Sequence, residues 1–274
     1  MHVTPAVVVA LVGAALVAAP AQAPQAPSPT PATHARTTPA AVVAALSTAA
    51  TDQSLKGRTI VIDPGHQLGN SRFPRKINRL VDAGGLRKAC NTTGTATASG
   101  YAEATFTWRV AVALRKQLRA KGATVVMTRD RNSRRLWGPC VDIRGKLGNK
   151  GYRGRERAAD LKLSIHGDGA ARSGRGFHVI VTGRRGAVVR SARLGREVRA
   201  ALDERGFRRS TYTAGGRGFV RRTDLGTLNL SRIPTAMVEL GNMRNPRDAR
   251  TMRSAAGQRR YARALTTAVE AYLR

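Results

Sequence analysis

The chain is poor in aromatic side chains, at 4% of its 274 residues, and poor in acids, with 16 against 48 lysines and arginines. Proteins that hold single strands of nucleic acid by stacking need aromatic platforms. The shortage of such platforms argues against reading the net charge of +32 as a nucleic-acid footprint, although dispersed cations favour any polyanion. A bias toward Arg at solvated positions is the other reading of the same charge. There are only two cysteines, Cys90 and Cys140, each in loop-like sequence, and five histidines. No internal repeat is found, and low-complexity sequence is confined to the first part of the chain.

That first part has an apolar run, "VVVALVGAALVAAPAQA", closing on the small-x-small pattern Ala21-Gln22-Ala23. Residues 1–23 are expected to be a secretory signal. No Lys or Arg precedes the run, so a segment retained in the membrane is the alternative, but the run is short and Ala-rich for a span. Residues 24–55, rich in Ala, Pro and Thr, are expected to be a linker. Residues 56–274 are expected to be one domain. Export points to a secreted, periplasmic or wall-associated protein whose polyanionic partner is the cell envelope. In an exported chain an even cysteine pair favours a disulfide, so Cys90 and Cys140 are expected to tie the long loop after residue 68 to the segment ahead of Ile143.

Within the domain, "RTIVID" (58–63) is a β-branched run expected to form a buried strand, followed by a stretch to Gly100 with too much Gly, Asn and Thr for regular structure. Phe106, Val110, Ala113, Leu114 and Leu118 recur at helical spacing over 101–122, with Gly122 as the stop. Strands are expected at 123–130, 161–170, 176–183 and 235–242. Helices are expected in the second half of 141–160, over 189–206 and from 255 to the end. Alternating strands and helices predict a single α/β domain with a twisted, mostly parallel central sheet and helices on both faces. In such sheets chemistry gathers at the carboxyl ends of the strands.

The three histidines beyond the linker are His66, His166 and His178. His66 follows the strand-ending Asp63-Pro64-Gly65 and His166 precedes a Gly-Asp-Gly turn, placements that suit metal ligands but also caps and surface residues. His178 lies inside "GFHVIVT", as a satisfied core histidine would, and is the reserve ligand. Two imidazoles and a carboxylate are an established zinc set. Glu103 qualifies as the third ligand at the start of a helix, where an acid is also favourable through the helix dipole alone. Glu239, at the end of "TAMVEL", could serve as the base beside a zinc-activated water, or merely pair with an arginine.

Taken in order, "IVIDPGH", "YAEATFTWRVAVALRKQL", "LSIHGDGA" and "PTAMVELGNMRN" resemble the motif series of the zinc-dependent N-acetylmuramoyl-L-alanine amidases called amidase 3. The resemblance covers residues 58–274. It implies that His66, Glu103 and His166 hold Zn2+ and that Glu239 is the catalytic carboxylate. The implied reaction cuts the amide between N-acetylmuramic acid and the first L-alanine of the peptidoglycan stem peptide. Gln67-Leu68 stands where the family often has Gly-Gly, and Asp168 where it has Asn. No separate wall-binding module is visible, and a monomer is expected. A zinc peptidase of stem peptides and a non-catalytic basic wall binder are the competing readings.

Overall fold

The computed structural model describes residues 52–184 and 187–274; the expected signal and nearly all of the expected linker lie outside these residues. The strands are β1 (Thr59–Pro64), β2 (Leu80–Asp82), β3 (Arg87–Ala89), β4 (Thr124–Met127), β5 (Leu161–Asp168), β6 (His178–Thr182), β7 (Phe219–Arg222) and β8 (Thr235–Asn242). The helices are α1 (Pro74–Ile77), α2 (Glu103–Ala120), α3 (Val141–Lys146), α4 (Val188–Glu204), α5 (Gly226–Asn229), α6 (Pro246–Arg253) and α7 (Ala255–Leu273). Six strands form one sheet in the order β4-β1-β5-β8-β6-β7, and β2 and β3 form a separate hairpin. Within the sheet only the β6–β8 pair is antiparallel. The expected α/β architecture is therefore the observed one.

Strand alternation gives the sheet two unlike faces. Leu161, Leu163 and Ile165 of β5, with Ala236, Val238 and Leu240 of β8, point into the main core. There they meet Phe106, Val110, Leu114 and Leu118 of α2, Leu194 and Val198 of α4, and Leu265 and Val269 of α7. The i, i+4 spacing along α2 turns its apolar stripe toward the sheet. Past the helix, Gly122 adopts φ +86° while the amide of Ala123 reaches back to the Leu118 carbonyl, a glycine-dependent stop. Leu55 is buried in this same core, so residues 52–55 belong with the domain and not with the linker.

The opposite face carries Asp63, Lys162, Ser164, His166, Thr235 and Glu239, with only small apolar clusters around Val61 and around Ile180, Leu228 and Met237. The short helices α3 and α5 and the β2–β3 hairpin cover it, and the Cys90–Cys140 disulfide fastens the loop after β3 to the start of α3. That is the pairing expected from the sequence.

Two expectations fail locally, and one strand was not read. The helix expected in the second half of 141–160 occupies the first half instead, as α3. "GRERAADLK" is rich in helix formers but has no apolar face to bury: Arg153 and Gly154 sit at positive φ and only Ala159 of residues 151–160 is buried. The stretch between residues 68 and 100 was expected to be irregular, yet it holds α1 and the hairpin, whose strands are three residues each. Strand β7, at a sheet edge with two exposed arginines, carries no alternation strong enough to be read.

Candidate metal and catalytic site

The site is assembled at the carboxyl ends of β1, β5 and β8. Strand β1 ends at Pro64, and His66 follows with φ +58°, a left-handed conformation that a non-glycine residue holds only when its surroundings enforce it. Two buried guanidiniums supply that enforcement. Arg144 donates to the Asp63 carboxylate at 2.7 Å, to the Pro64 carbonyl at 2.8 Å and to the His66 carbonyl at 2.9 Å. Arg129 donates from the other side to the carbonyls of Pro64, Gly65 and Ala104. Thr128 and Ser164 add hydrogen bonds to Asp63. Burial alone would raise the Asp63 carboxyl, but Arg144 and these two hydroxyls outweigh it and hold the group at about 2. Gln67, which departs from the family pattern, is also structural here: its side chain is buried and hydrogen-bonds Arg131, Leu68 and Ser133.

Glu103 opens α2, but its carboxylate does not serve that helix. Oε1 lies 3.1 Å from His66 Nε2 and 3.0 Å from His166 Nδ1 and accepts from the Gly167 amide, while Oε2 accepts from the Thr95 amide. Burial works against its charge, and the flanking His66 and His166 hold the carboxyl below its ordinary range. The two imidazole rings stand nearly perpendicular, centroids 5.1 Å apart. Two glycines make this closeness possible. A Cβ on Gly65 would lie 2.5 Å from the His166 ring, and one on Gly94 would lie 2.8 Å from both the Glu103 carboxylate and the His66 ring.

One donor atom from each of His66, Glu103 and His166 lies within 4.8 Å of the others, the span a single ion would bridge. The donor set of two imidazoles and a carboxylate fits zinc. His66 Nδ1 faces the Thr92 carbonyl at 3.0 Å, so it carries the proton and leaves Nε2 free to ligate, the arrangement in which an outer hydrogen bond fixes a ligand's tautomer.

Glu239 is the register partner of His166 across β5 and β8, and the ladder shifts by a bulge immediately after this pair, as strands often do beside active sites. Its Oε2 is shut off from solvent and has no hydrogen-bond partner. Burial, reinforced by the carboxylates of Glu103 and Asp168, raises its pKa well above the ordinary range. The cleft running past the site has a volume of about 360 Å³; Lys88 and Arg222 stand along it, as do apolar Ile180, Leu225 and Met237.

All four expected site residues thus meet in one place. His178 does not join the donor group, and it is not the satisfied core histidine its setting suggested, since its buried Nδ1 has no partner. Sequence reasoning did not single out Arg144, Arg129 or the Thr92–Thr95 strap. In a chain with 48 basic residues nothing local separates a buried guanidinium from a solvated one.

A layered α/β sheet that gathers a two-histidine, one-carboxylate group able to hold a metal ion, with a buried carboxylate alongside, has the parts that a hydrolase site uses. The family model described as N-acetylmuramoyl-L-alanine amidase, of the amidase 3 type, matches residues 60–271. A curated relative, N-acetylmuramoyl-L-alanine amidase Rv3717 of Mycobacterium tuberculosis, is 38% identical over 234 residues, covering 83% of this chain and 91% of its own. The crystal structure of the N-acetylmuramyl-L-alanine amidase Ami1 from Mycobacterium smegmatis superposes with a TM-score of 0.73 at 35% identity, covering 80% of this chain and 98% of that one. The apo Ami1 of Mycobacterium abscessus gives 0.73 at 38%, over 80% and 100%. This chain belongs to the amidase 3 family of N-acetylmuramoyl-L-alanine amidases.

Proposed function

We propose that the domain hydrolyses the amide between the lactyl group of N-acetylmuramic acid and the L-alanine of the stem peptide, with His66, Glu103 and His166 holding zinc. The observation that carries this reading is the convergence of those donors with Glu239 at one end of the cleft. A bound zinc ion supplies Lewis acidity, polarising the scissile carbonyl and making water acidic enough to attack near neutral pH. Glu239 takes the proton from the attacking water and returns it to the alanyl nitrogen as the C–N bond breaks, so a free amine leaves. Its burial is the setting such a proton carrier needs, because desolvation raises a carboxyl toward neutral pH. Lys88 and Arg222 share the Asp224 carboxylate on the cleft wall, which leaves one positive charge in excess there to favour a stem-peptide carboxylate, and Ile180, Leu225 and Met237 offer apolar contact.

A monomer is the active form in this reading, which the presence of the whole donor group on one chain supports. Residues 1–23 export it to the cell envelope, where its charge of +32 holds it to anionic wall polymers. Binding to purified sacculi is expected to weaken as salt rises, and salt-insensitive binding contradicts that part. The activity itself is tested by mass spectrometry of digested muropeptides. An amidase releases stem peptides with a free L-alanine amine from intact glycan. A peptidase leaves L-alanine on the sugar, which would overturn the reading.

A further inference from the structure

Three of the site's four side chains are anchored. His66 is held by Thr92, Glu103 by Thr95 and Gly167, and His166 by Glu103. Glu239 is the exception, with an orphaned Oε2. Directly opposite it in the antiparallel pairing of β6 and β8 stands His178. Residues so paired project from the same face of a sheet with Cβ atoms about 5 Å apart. His178 is 5% exposed, and its Nδ1 is likewise buried without a partner. A third such atom lies alongside. The Tyr212 ring stands perpendicular to the His178 ring with centroids 6.0 Å apart, and its hydroxyl is also buried without a well-formed hydrogen bond, close enough to Asp168 and Glu239 for both carboxylates to act on it.

The backbone holds these groups together. The amides of Phe177 and Ser210 bond to Arg208 and Phe177, and that of Thr211 to Arg175, lacing the segment before Tyr212 to the start of β6. Gly174 lets the ring lie close, since a Cβ there would come within 2.7 Å of it. An unsatisfied buried polar atom costs on the order of 1–3 kcal/mol. Three of them in one place, one belonging to the unanchored residue of the active site and two beside it, make a mutual arrangement more favourable than three separate penalties.

We infer that His178, backed by Tyr212, is a positioning residue for Glu239: its Nδ1–H holds the carboxyl, directly or through one ordered water, in the rotamer that faces the scissile amide. Burial keeps the imidazole below its ordinary pKa, so it is neutral and has one proton to donate. The role is distinct from metal ligation, because His178 lies outside the group of His66, Glu103 and His166. It rests on the reading of Glu239 as the proton carrier.

The test measures kcat, KM, zinc content and melting temperature for His178→Leu, His178→Asn and Tyr212→Phe, each with Glu239 and with Glu239→Ala. His178→Leu is expected to lower kcat by about tenfold to hundredfold, the usual cost of losing a supporting hydrogen bond at a metal site. KM and zinc stay as in the wild type. Asn, whose amide can donate from nearly the same point, recovers most of the loss. Tyr212→Phe keeps the ring and lowers kcat by a smaller factor. With Glu239→Ala the same changes are expected to cost nothing further, because residues that act as a unit are not additive. Wild-type kcat in both His178→Leu and Tyr212→Phe overturns the inference. So does an equal loss with and without Glu239, and if His178→Leu does not fold, Tyr212→Phe decides. Full activity of Glu239→Ala alone would instead sink the reading of Glu239.

Discussion

On one face of the sheet β5 presents Leu161, Leu163 and Ile165; on the other the same strand presents Lys162, Ser164 and His166. The first face is held by packing against α2, α4 and α7. The second cannot be, because its residues are polar and its cover is short. It is held by directional contacts: the Asp63–Arg144 pair at 2.7 Å, Lys162 donating to the carbonyls of Arg144 and Gly145, and the Cys90–Cys140 disulfide. Packing tolerates some repacking, whereas a buried ion pair or an imidazole aimed at a ligand position does not. Packing is thereby concentrated on one side of a set of strands and the chemistry on the other, where directional contacts supply the stability.

Substitutions break that comparison in a definite order. Glu239→Ala on the polar face is expected to lower kcat by about 10²–10⁴-fold with the melting temperature unchanged. A parallel loss of stability, seen in thermal unfolding, would mean the two faces are not separable. Replacing both Cys90 and Cys140 by Ala removes a closure across a sequence separation of 50 residues and is expected to cost about 4 kcal/mol in denaturant titration. Leu163→Ala on the apolar face is expected to cost about 2–5 kcal/mol of stability while kcat per folded molecule is retained.

Asp63 belongs to the polar face but is structural, and its signature is pH. A carboxyl held at about 2 in the fold, against 3.8 when exposed, contributes about 2 kcal/mol of stability that is complete above about pH 4. The contribution is lost as pH falls through the folded value. Asp63→Asn should flatten the acid limb of the unfolding curve, and an unchanged limb would remove Asp63 from the account. The smallest effect is expected at the surface, where Lys121→Met breaks its pairs with Asp52 and Glu270. The substitution should cost about 1 kcal/mol.

The same division explains what could be read from the residues alone. The apolar face was legible as periodicity: the α2 stripe and the alternation in β5 lie where the pattern puts them. His66, Glu103 and His166 were legible as candidates because their residue types are rare in this chain and stand at element ends, the two histidines beside glycines. What holds them was not. Arg144 and Arg129 are two of many arginines, and their burial follows from α3 and from the residues after β4 crossing the Asp63-Pro64-Gly65 turn. His178 sits in an apolar run and looked like core; only the antiparallel pairing of β6 with β8 puts it opposite Glu239.

In the proposed mechanism His66, Glu103 and His166 form one zinc site that Glu239 serves without belonging to it. Zinc analysis of purified wild type, His66→Ala and Glu239→Ala, paired with turnover on a muramyl-peptide, tests it most directly. One zinc per wild-type chain is expected, with loss of both zinc and turnover in His66→Ala, and retained zinc with turnover lowered by about 10²–10⁴-fold in Glu239→Ala. Full zinc in His66→Ala, or loss of zinc in Glu239→Ala, would contradict it.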